Sequence, residues 1–179
     1  MTTATKTLWK IDPTHSEVQF KVKHLVISTV TGSFGSYNGQ IEVDGQDFEN
    51  ATASFTADIN SITTNNEDRD QHLKSDDFFN AEEYPQLKFE SKNFQKTSDG
   101  EYKVIGDLTI RDVTKEIELE VVHGGTVGDP YGQTKAGFEV SGTINRKEFG
   151  LSWSAVTEAG NVVVGDKINL QLNVQLIQN

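Results

Sequence analysis

Apolar and polar residues alternate one by one along several parts of the chain. The longest such run is "INLQLNVQL", residues 168–176, in which every second residue is apolar. The segments "EVQFKVK" (17–23) and "EIELEV" (116–121) show the same period of two. Because successive side chains of a β-strand point to opposite faces, each segment is predicted to be a strand with one buried and one solvated face. Weaker alternation predicts strands at residues 40–43, 51–59, 87–89, 102–110 and 136–144.

Turn residues separate the predicted strands and indicate how they connect. About eight strands at this short spacing are typical of an antiparallel barrel or sandwich. Parallel βαβ units are excluded, because they require crossover helices and the pattern predicts only one short helix. The fold class is therefore all-β, with a single domain over residues 1–179. The turn signals are Asn38-Gly39, Asp44-Gly45, Asp99-Gly100, Gly124-Gly125 and Asp129-Pro130.

Small residues on the predicted buried faces leave the filling of the interior open. A barrel of about eight strands either fills with its own side chains or holds one small ligand. Small residues leave volume for a ligand, which favours a hollow barrel. Glycine also relieves crowding where strands coil tightly, which is compatible with a filled one. The small residues are Ala51, Ala53, Ala57, Gly106 and Gly142.

The polar stretch "SITTNNEDRDQHLKSDDFF", residues 61–79, is predicted to form a lid over one end of the barrel. A short helix is expected over residues 67–73, and its charges are solvated nearly all round, so no apolar stripe of its own holds it. The two phenylalanines at the end of the stretch are expected to anchor it, since burying one Phe contributes about 1.5–3 kcal/mol. Candidate N-caps are Thr64, in a capping box with Glu67, and Asn65 or Asn66.

Charge and composition exclude several classes of partner. The net charge is -11 and no run of basic residues is visible, which argues against both nucleic acid and anionic membrane surfaces as partners. No stretch approaches the length of about 18 apolar residues that a transmembrane helix needs. The N-terminal "MTTATKTLWKID" lacks the apolar core of a secretory signal, so we expect a cytoplasmic location.

Metal binding and catalysis have little support in the sequence. There are no cysteines, which excludes thiol nucleophiles and zinc–thiolate sites. Asp68 and His72 stand four residues apart on the predicted helix, and a solvated ion pair is the simpler interpretation of that pair. His15 and Ser16 are adjacent and therefore face opposite ways on a strand, so they do not form a dyad. We predict no metal, no cofactor and no catalytic residue.

Three polar residues are candidates for contact with a ligand. His24 continues the apolar face of residues 18–22, either as a core histidine bonded to the backbone or as a polar group that orients a ligand head at a cavity mouth. Arg69 in the lid and Arg146 in "NRKEFG" are candidates for an anionic head group. Surface salt bridges are the more common role of such arginines and contribute little to stability.

Five blocks of the sequence resemble, in order and spacing, the YceI-like family. The most specific are the "RDQHLKSDDFF" stretch and the "LTIRDVTK" hairpin, and the resemblance covers nearly the whole chain. Asp112 stands where the family usually has glycine, so we expect a positive φ at Asp112, which aspartate tolerates better than most residues. The blocks are "WKIDPTHSEVQFKVKHL", "VTGSFGSYNGQI", "SITTNNEDRDQHLKSDDFFNAEEYPQLKFES", "GDLTIRDVTKEIEL" and "INRKEFGL".

The resemblance implies a lipocalin-like antiparallel barrel with a long apolar cavity. It implies binding, sequestration or transport of a polyisoprenoid or related fatty-chain lipid, without a cofactor. Family members are commonly periplasmic, and some form homodimers. The alternatives are a lipid-modifying enzyme that uses a cavity histidine, and a partner-binding module with a filled core. The alternation predicts these ligand contacts, with His24: Phe20, Val22, Phe34, Phe55, Ile59, Phe78, Phe79, Phe89, Leu108, Ile110, Phe138 and Phe149.

Overall fold

Antiparallel strands make up most of the chain in the computed structural model, which describes residues 6–45, 47–153 and 163–179. One α-helix, α1 (Glu67–Lys74), and three short 3-10 helices, at Pro13–His15, Ile59–Ser61 and Arg146–Phe149, complete the described part. The strands are β1 (Lys6–Ile11), β2 (Glu17–His24), β3 (Ser28–Phe34), β4 (Tyr37–Asp44), β5 (Thr52–Asp58), β6 (Ile62–Thr63), β7 (Gln86–Ser98), β8 (Glu101–Ile110), β9 (Val113–Gly128), β10 (Thr134–Asn145) and β11 (Val164–Gln178).

The sheet closes on itself because two long arms of the chain are bent. Strand β11 pairs with β10 along one edge, and along its other edge it pairs with both β2 and β1. The arm β1–β2 bends at Pro13–His15, and it pairs with the arm β3–β4 on its far side. Strands β5, β7, β8 and β9 continue from β4 to β10. The described residues therefore form a closed antiparallel barrel of eight wall positions, with the short β6 beside β3.

The predicted alternation sets the inner and outer faces of the wall. Strand β8 alternates between buried and half-buried residues along its length after Glu101, and the three glutamates of β9 at 116, 118 and 120 are exposed. Burying one unpaired carboxylate costs several kcal/mol, so this register keeps β9 in a single orientation. The all-β prediction and the barrel are confirmed.

Strands β1 and β3 were not predicted, because apolar and polar residues do not alternate regularly along them. In β3 the inward residues include Gly32, which pairs directly with Phe20 of β2. A Cβ atom at Gly32 would collide with the Phe20 ring, so glycine is required where that ring crosses the strand. In β1 the apolar pair Leu8-Trp9 interrupts the period of two, although Trp9 is buried.

Some of the small inward residues relieve crowding in a filled part of the barrel, and one leaves space for a cavity. A Cβ at Gly106 would lie 2.6 Å from the Phe89 ring, and one at Gly142 would lie 2.6 Å from Leu119. At these two glycines the space is filled by a neighbouring side chain, so they relieve crowding. Ala53, in contrast, borders an internal cavity. Ala51 and Ala57 are buried but do not border it.

Candidate functional site

An apolar cavity of about 240 Å³ lies inside the barrel. Inward side chains from the strands surround it, among them Phe55 of β5, Leu119 of β9 and Leu170 of β11. Gln19, Gln40, Ser54 and Arg146 are the polar residues that border it in the described part of the chain. A ligand in this space would meet almost entirely hydrocarbon, which suits an apolar chain and not a charged or strongly polar molecule.

Most of the predicted contact residues lie on the cavity wall. For those in strands the alternation correctly gives the inward direction, and the two lid phenylalanines were predicted as anchors. The barrel brings all of them together from six strands and from the segment after α1. Contact with a bound ligand stays a prediction for each of them. The ten predicted residues on the wall are Phe20, Val22, Phe34, Phe55, Phe78, Phe79, Phe89, Leu108, Ile110 and Phe138.

Three predicted residues do not border the cavity. Ile59 is 2% exposed and packs in a second cluster with Phe34 and Ile62. Phe149 is 1% exposed and lies in the 3-10 helix after β10. His24 is half-buried at the end of β2. Alternation fixes the face that a side chain is on but not its height along the barrel axis, and these three lie beyond the cavity wall.

The two arginines proposed for a head group are bound to the protein itself. Arg146 is 2% exposed, and its guanidinium donates to the carbonyl oxygens of Leu151 (2.6 Å), Trp153 (2.7 Å) and Gly165 (2.9 Å). Burial lowers the pKa of Arg146 from its ordinary value. Arg69 lies away from the wall and donates to the hydroxyl (2.7 Å) and carbonyl (2.8 Å) of Thr64.

Residues 64–81, which we call the lid, cross one end of the barrel. Leu73, Phe78 and Phe79 of the lid border the cavity, whereas α1 has no buried residue. The N-cap of α1 is Asn66, whose side chain accepts from the Arg69 N–H (3.1 Å). The Thr64 hydroxyl instead donates to Asp70 (2.6 Å), so the capping-box prediction at Thr64 was wrong.

Arg111 connects the lid to the barrel wall. It lies in the β8–β9 turn, and its guanidinium donates to the Asp76 carboxylate (2.8 Å) and to the carbonyls of Asp76 (3.1 Å) and Phe78 (3.2 Å). The same group lies 5.8 Å from the centre of the Tyr84 ring. The positive φ predicted at Asp112 belongs to Arg111 (56°). Sequence reasoning missed this residue, because its partners are more than 30 positions away.

An aromatic corner joins the lid to the segment after β10. The rings of His72, Phe78 and Trp153 lie 4.8–5.4 Å apart, centre to centre. His72 Nε2 lies 2.9 Å from the Asp77 carboxylate, so the partner of His72 is Asp77 and the predicted pair with Asp68 was wrong. Trp153 had no signal in the alternation, since it lies between β10 and β11 and outside both strands.

The opposite end of the barrel is filled by a cluster that we call the floor: Trp9, Phe48, Phe94, Tyr102, His123 and Phe138. The Phe48 ring packs 5.5 Å from Trp9, 5.1 Å from His123 and 4.8 Å from Phe138. The Tyr102 hydroxyl donates to Asp47 (2.7 Å). This bond, with a smaller effect of Lys96, lowers the pKa of Asp47 to about 2. Burial, and then the Asp47 bond, raise the pKa of Tyr102 to about 12.

The described residues contain neither a cluster of side chains that could bind a metal ion nor a helix that could span a membrane. No three His, Asp or Glu side chains among them converge as metal ligands would. None of the helices in that part of the chain is long and apolar enough to cross a bilayer.

The Nδ1 atom of His15 lies 2.8 Å from the Asp12 carboxylate near the surface. The pKa of Asp12 is lowered by its hydrogen bonds with Thr14 and His15.

Comparison with known proteins shows which family the chain resembles. The profile of the YceI-like domain matches residues 9–176. A UPF0312 protein of Staphylococcus epidermidis is 38% identical over 170 residues, covering 94% of this chain and 96% of that protein. A UPF0312 protein of Staphylococcus aureus is 37% identical over the same extent.

Solved structures share the barrel. The YceI protein of Campylobacter jejuni is 36% identical, with a TM-score of 0.72 over 86% of this chain and 87% of that one. BcnA of Burkholderia cenocepacia (20% identical, TM-score 0.80, 92% and 98% covered) has the same fold. So does a polyisoprenoid binding domain from Saccharophagus degradans (16% identical, TM-score 0.65, 94% and 97% covered). Since the family profile spans nearly the whole chain and relatives above one-third identity align over almost their full length, this protein belongs to the YceI-like family.

Proposed function

We propose that the protein binds one long-chain amphiphile, a polyisoprenoid or a related lipid, with its chain in the barrel cavity, and so sequesters or transports it. The observation that supports this most is the cavity wall, which among the described residues is hydrocarbon from the lid to the floor apart from four polar residues. The structural neighbour from Saccharophagus degradans, which is a polyisoprenoid binding domain, has the same fold.

The hydrophobic effect is sufficient to drive such binding. Each methylene moved from water into an apolar site contributes about 0.8 kcal/mol. Eight such groups contribute about 6 kcal/mol before the cost of ordering the chain. No charged contact is required, which agrees with the engagement of Arg146 by carbonyl oxygens. Discrimination between chains that differ by one methylene is then weak, of order 10–200-fold at most.

The positions of the histidines favour binding over catalysis. A general base must lie within hydrogen-bond reach of the bound substrate, directly or through one water. His15, His24, His72 and His123 are all described, and none of them borders the cavity. A filled core is also disfavoured, because Ala53 and the large wall residues leave space between them.

Neighbouring residues of β10 allow a matched test of the cavity as the binding site. Val140 faces the cavity and Ser141 faces solvent. We expect Val140→Phe to weaken the binding of geranylgeraniol about tenfold or more, since the added ring occupies the space of the chain. Ser141→Phe, which adds the same ring outside, should leave affinity unchanged. Affinity is measured by displacement of a fluorescent apolar dye.

Circular dichroism checks that both variants fold, and Ala53→Phe repeats the inner substitution on β5 if Val140→Phe does not fold. Equal affinity of the inner and outer variants would contradict binding in the cavity. Failure of the wild-type protein to bind any chain alcohol or fatty acid would contradict the proposed function as a whole.

A further inference from the structure

The β2–β3 turn exposes apolar side chains that the cavity does not use. Residues Leu25, Val26 and Ile27, which we call the hairpin tip, connect the two strands. Val26 is 70% exposed and Ile27 is 85% exposed, although most large apolar residues of the described chain are buried or half-buried. Isolated exposed apolar residues are common, but adjacent ones in a single turn form a compact apolar surface.

The backbone of the hairpin tip is strained as well as exposed. Leu25 has φ 53° and Val26 has φ 66°. This left-handed region suits glycine or asparagine, and a β-branched valine is rarely found there. Bulky apolar residues therefore occupy a turn that smaller polar residues would form at lower cost. Strained residues of this kind cluster at sites of function.

The hairpin tip lies at the lid end of the barrel. The Leu25 N–H donates to the carbonyl of Val163 (3.0 Å), and the next residue, Val164, borders the cavity. Arg146 contacts the carbonyl of Val164 (3.5 Å) and donates to that of Trp153 (2.7 Å), whose ring packs on Phe78 of the lid. A surface that held the tip would thus face the same end of the cavity as the lid.

The chain segment that carries the tip has a charge opposite in sign to that of the whole protein. Residues 18–41 contain Lys21 and Lys23 and no aspartate or glutamate, whereas the chain as a whole carries -11. Lys23 is exposed and its Nζ donates to the Thr29 hydroxyl (3.0 Å). Asp166, in the strand beside β2, is engaged by Lys147 (3.3 Å) and Arg146 (3.7 Å).

We propose that the hairpin tip docks onto the surface of a lipid bilayer that contains anionic lipids. Val26 and Ile27 would enter the boundary between head groups and acyl chains, while Lys21 and Lys23 would contact anionic head groups. Docking through the tip would orient the lid end of the barrel towards the bilayer. This inference rests on the proposed function, because a bilayer is where a chain lipid is collected or delivered.

Co-sedimentation with vesicles tests the docking surface. We expect the wild-type protein to bind vesicles of phosphatidylglycerol and phosphatidylcholine, and the double variant V26S/I27S to lose about tenfold or more in partition coefficient. The control V127S/Y131S removes two apolar side chains that are 64% and 89% exposed at the β9–β10 turn, on the floor end. This control should bind like the wild type. K21Q/K23Q should lose roughly fivefold per lysine on the anionic vesicles only.

Several results would overturn the proposal: no binding by the wild type, unchanged binding by V26S/I27S, or an equal loss in V127S/Y131S. A fourth is that V26S/I27S changes only the sedimentation coefficient, since the tip would then contact a second copy of the chain. Geranylgeraniol affinity in solution, measured on the same variants, separates the two proposals. Docking predicts that V26S/I27S keeps wild-type affinity, whereas failure of the proposed function removes that affinity from every variant.

Discussion

The two ends of the barrel are closed by different kinds of interaction. At the floor, Phe48 and Phe94 are each 2% exposed and pack among other aromatic rings. At the lid, α1 has no buried residue, and hydrogen bonds from Arg111 of the β8–β9 turn hold the segment against the barrel wall. Leu73, Phe78 and Phe79 border the cavity from the lid, and Ala81 packs into the second apolar cluster.

This difference indicates which end opens. Separating the floor would expose several aromatic rings, each costing about 1.5–3 kcal/mol. Lifting the lid exposes about four apolar side chains, of which two are aromatic. Its hydrogen bonds can be exchanged for bonds to water at a net cost of about 0.5–1.5 kcal/mol each. We therefore expect a ligand to exchange through the lid end, with the floor as a structural closure.

The largest expected effect is at the floor. Phe48→Ala should destabilise the protein by about 3–5 kcal/mol, because it leaves a cavity among Trp9, His123 and Phe138. The free energy of unfolding is measured in urea. If Phe48→Ala costs less than about 1 kcal/mol, the floor is not the rigid end.

Removal of the lid anchors should act on exchange more than on the fold. The double variant F78A/F79A should release a bound chain lipid about tenfold faster, since both rings border the cavity from the lid. Stopped-flow fluorescence of a chain-lipid probe gives the release rate. Unchanged release would count against the lid as the exit, and faster release in Phe48→Ala than in the double variant would reverse the comparison.

Loss of the Arg111 contacts is expected to have an intermediate effect. Arg111→Gln removes the charged hydrogen bonds to Asp76 and Phe78, and about 1–2 kcal/mol of lid closure should be lost. Hydrogen exchange of the lid amides should accelerate while that of β8 is unchanged. Asp112→Asn in the same turn is the matched control, and an equal acceleration there would mean that the turn, and not Arg111, holds the lid.

The smallest expected effect is a pH dependence at the floor. The lowered pKa of Asp47 makes its bond to Tyr102 stabilising above about pH 4, and that contribution is lost as pH falls through about 2. The raised pKa of Tyr102 gives a contribution that is present below about pH 10 and lost as pH rises through about 12. Because the Asp47 side chain is 48% exposed, we expect about 1 kcal/mol or less.

Tyr102→Phe isolates this contribution. The difference in unfolding free energy between the wild type and Tyr102→Phe should be flat from about pH 4 to pH 10 and shrink on both sides. A difference that stays constant down to pH 2 would show that the Asp47–Tyr102 bond does not respond to protonation of Asp47.

The sequence predicts the wall of the barrel better than its two ends. Alternation is a local property, and it correctly gives β9 and β11 and the inward direction of residues such as Phe89. It does not give height along the barrel axis, which is why Phe149 and His24 were misplaced. Closure depends on bends at Pro13–His15 and at residues 35–36, where two segments share one wall position. Asp12-Pro13 and Gly35-Ser36 have the composition of turns, but that composition does not show that the chain continues along the same wall position.

The closing contacts at both ends are long-range and lie largely in turns and loops. Arg111 reaches residues of the lid more than 30 positions away, and Tyr102 reaches Asp47 at a separation of 55. Residues in turns and loops follow no periodic pattern that would indicate their partners. The alternation therefore could not identify Arg111 and Trp153 as contacts of the lid. The two aromatic residues of the lid were found because two adjacent phenylalanines after a polar stretch require burial.

Mass spectrometry of an organic extract of the purified protein tests the central claim most directly. If the cavity holds a chain amphiphile, the extract of the wild-type protein contains one class of long-chain lipid at close to one molecule per chain, and the extract of Val140→Phe contains far less. An extract without any chain lipid, from a protein that also fails to take up added geranylgeraniol, would contradict the account.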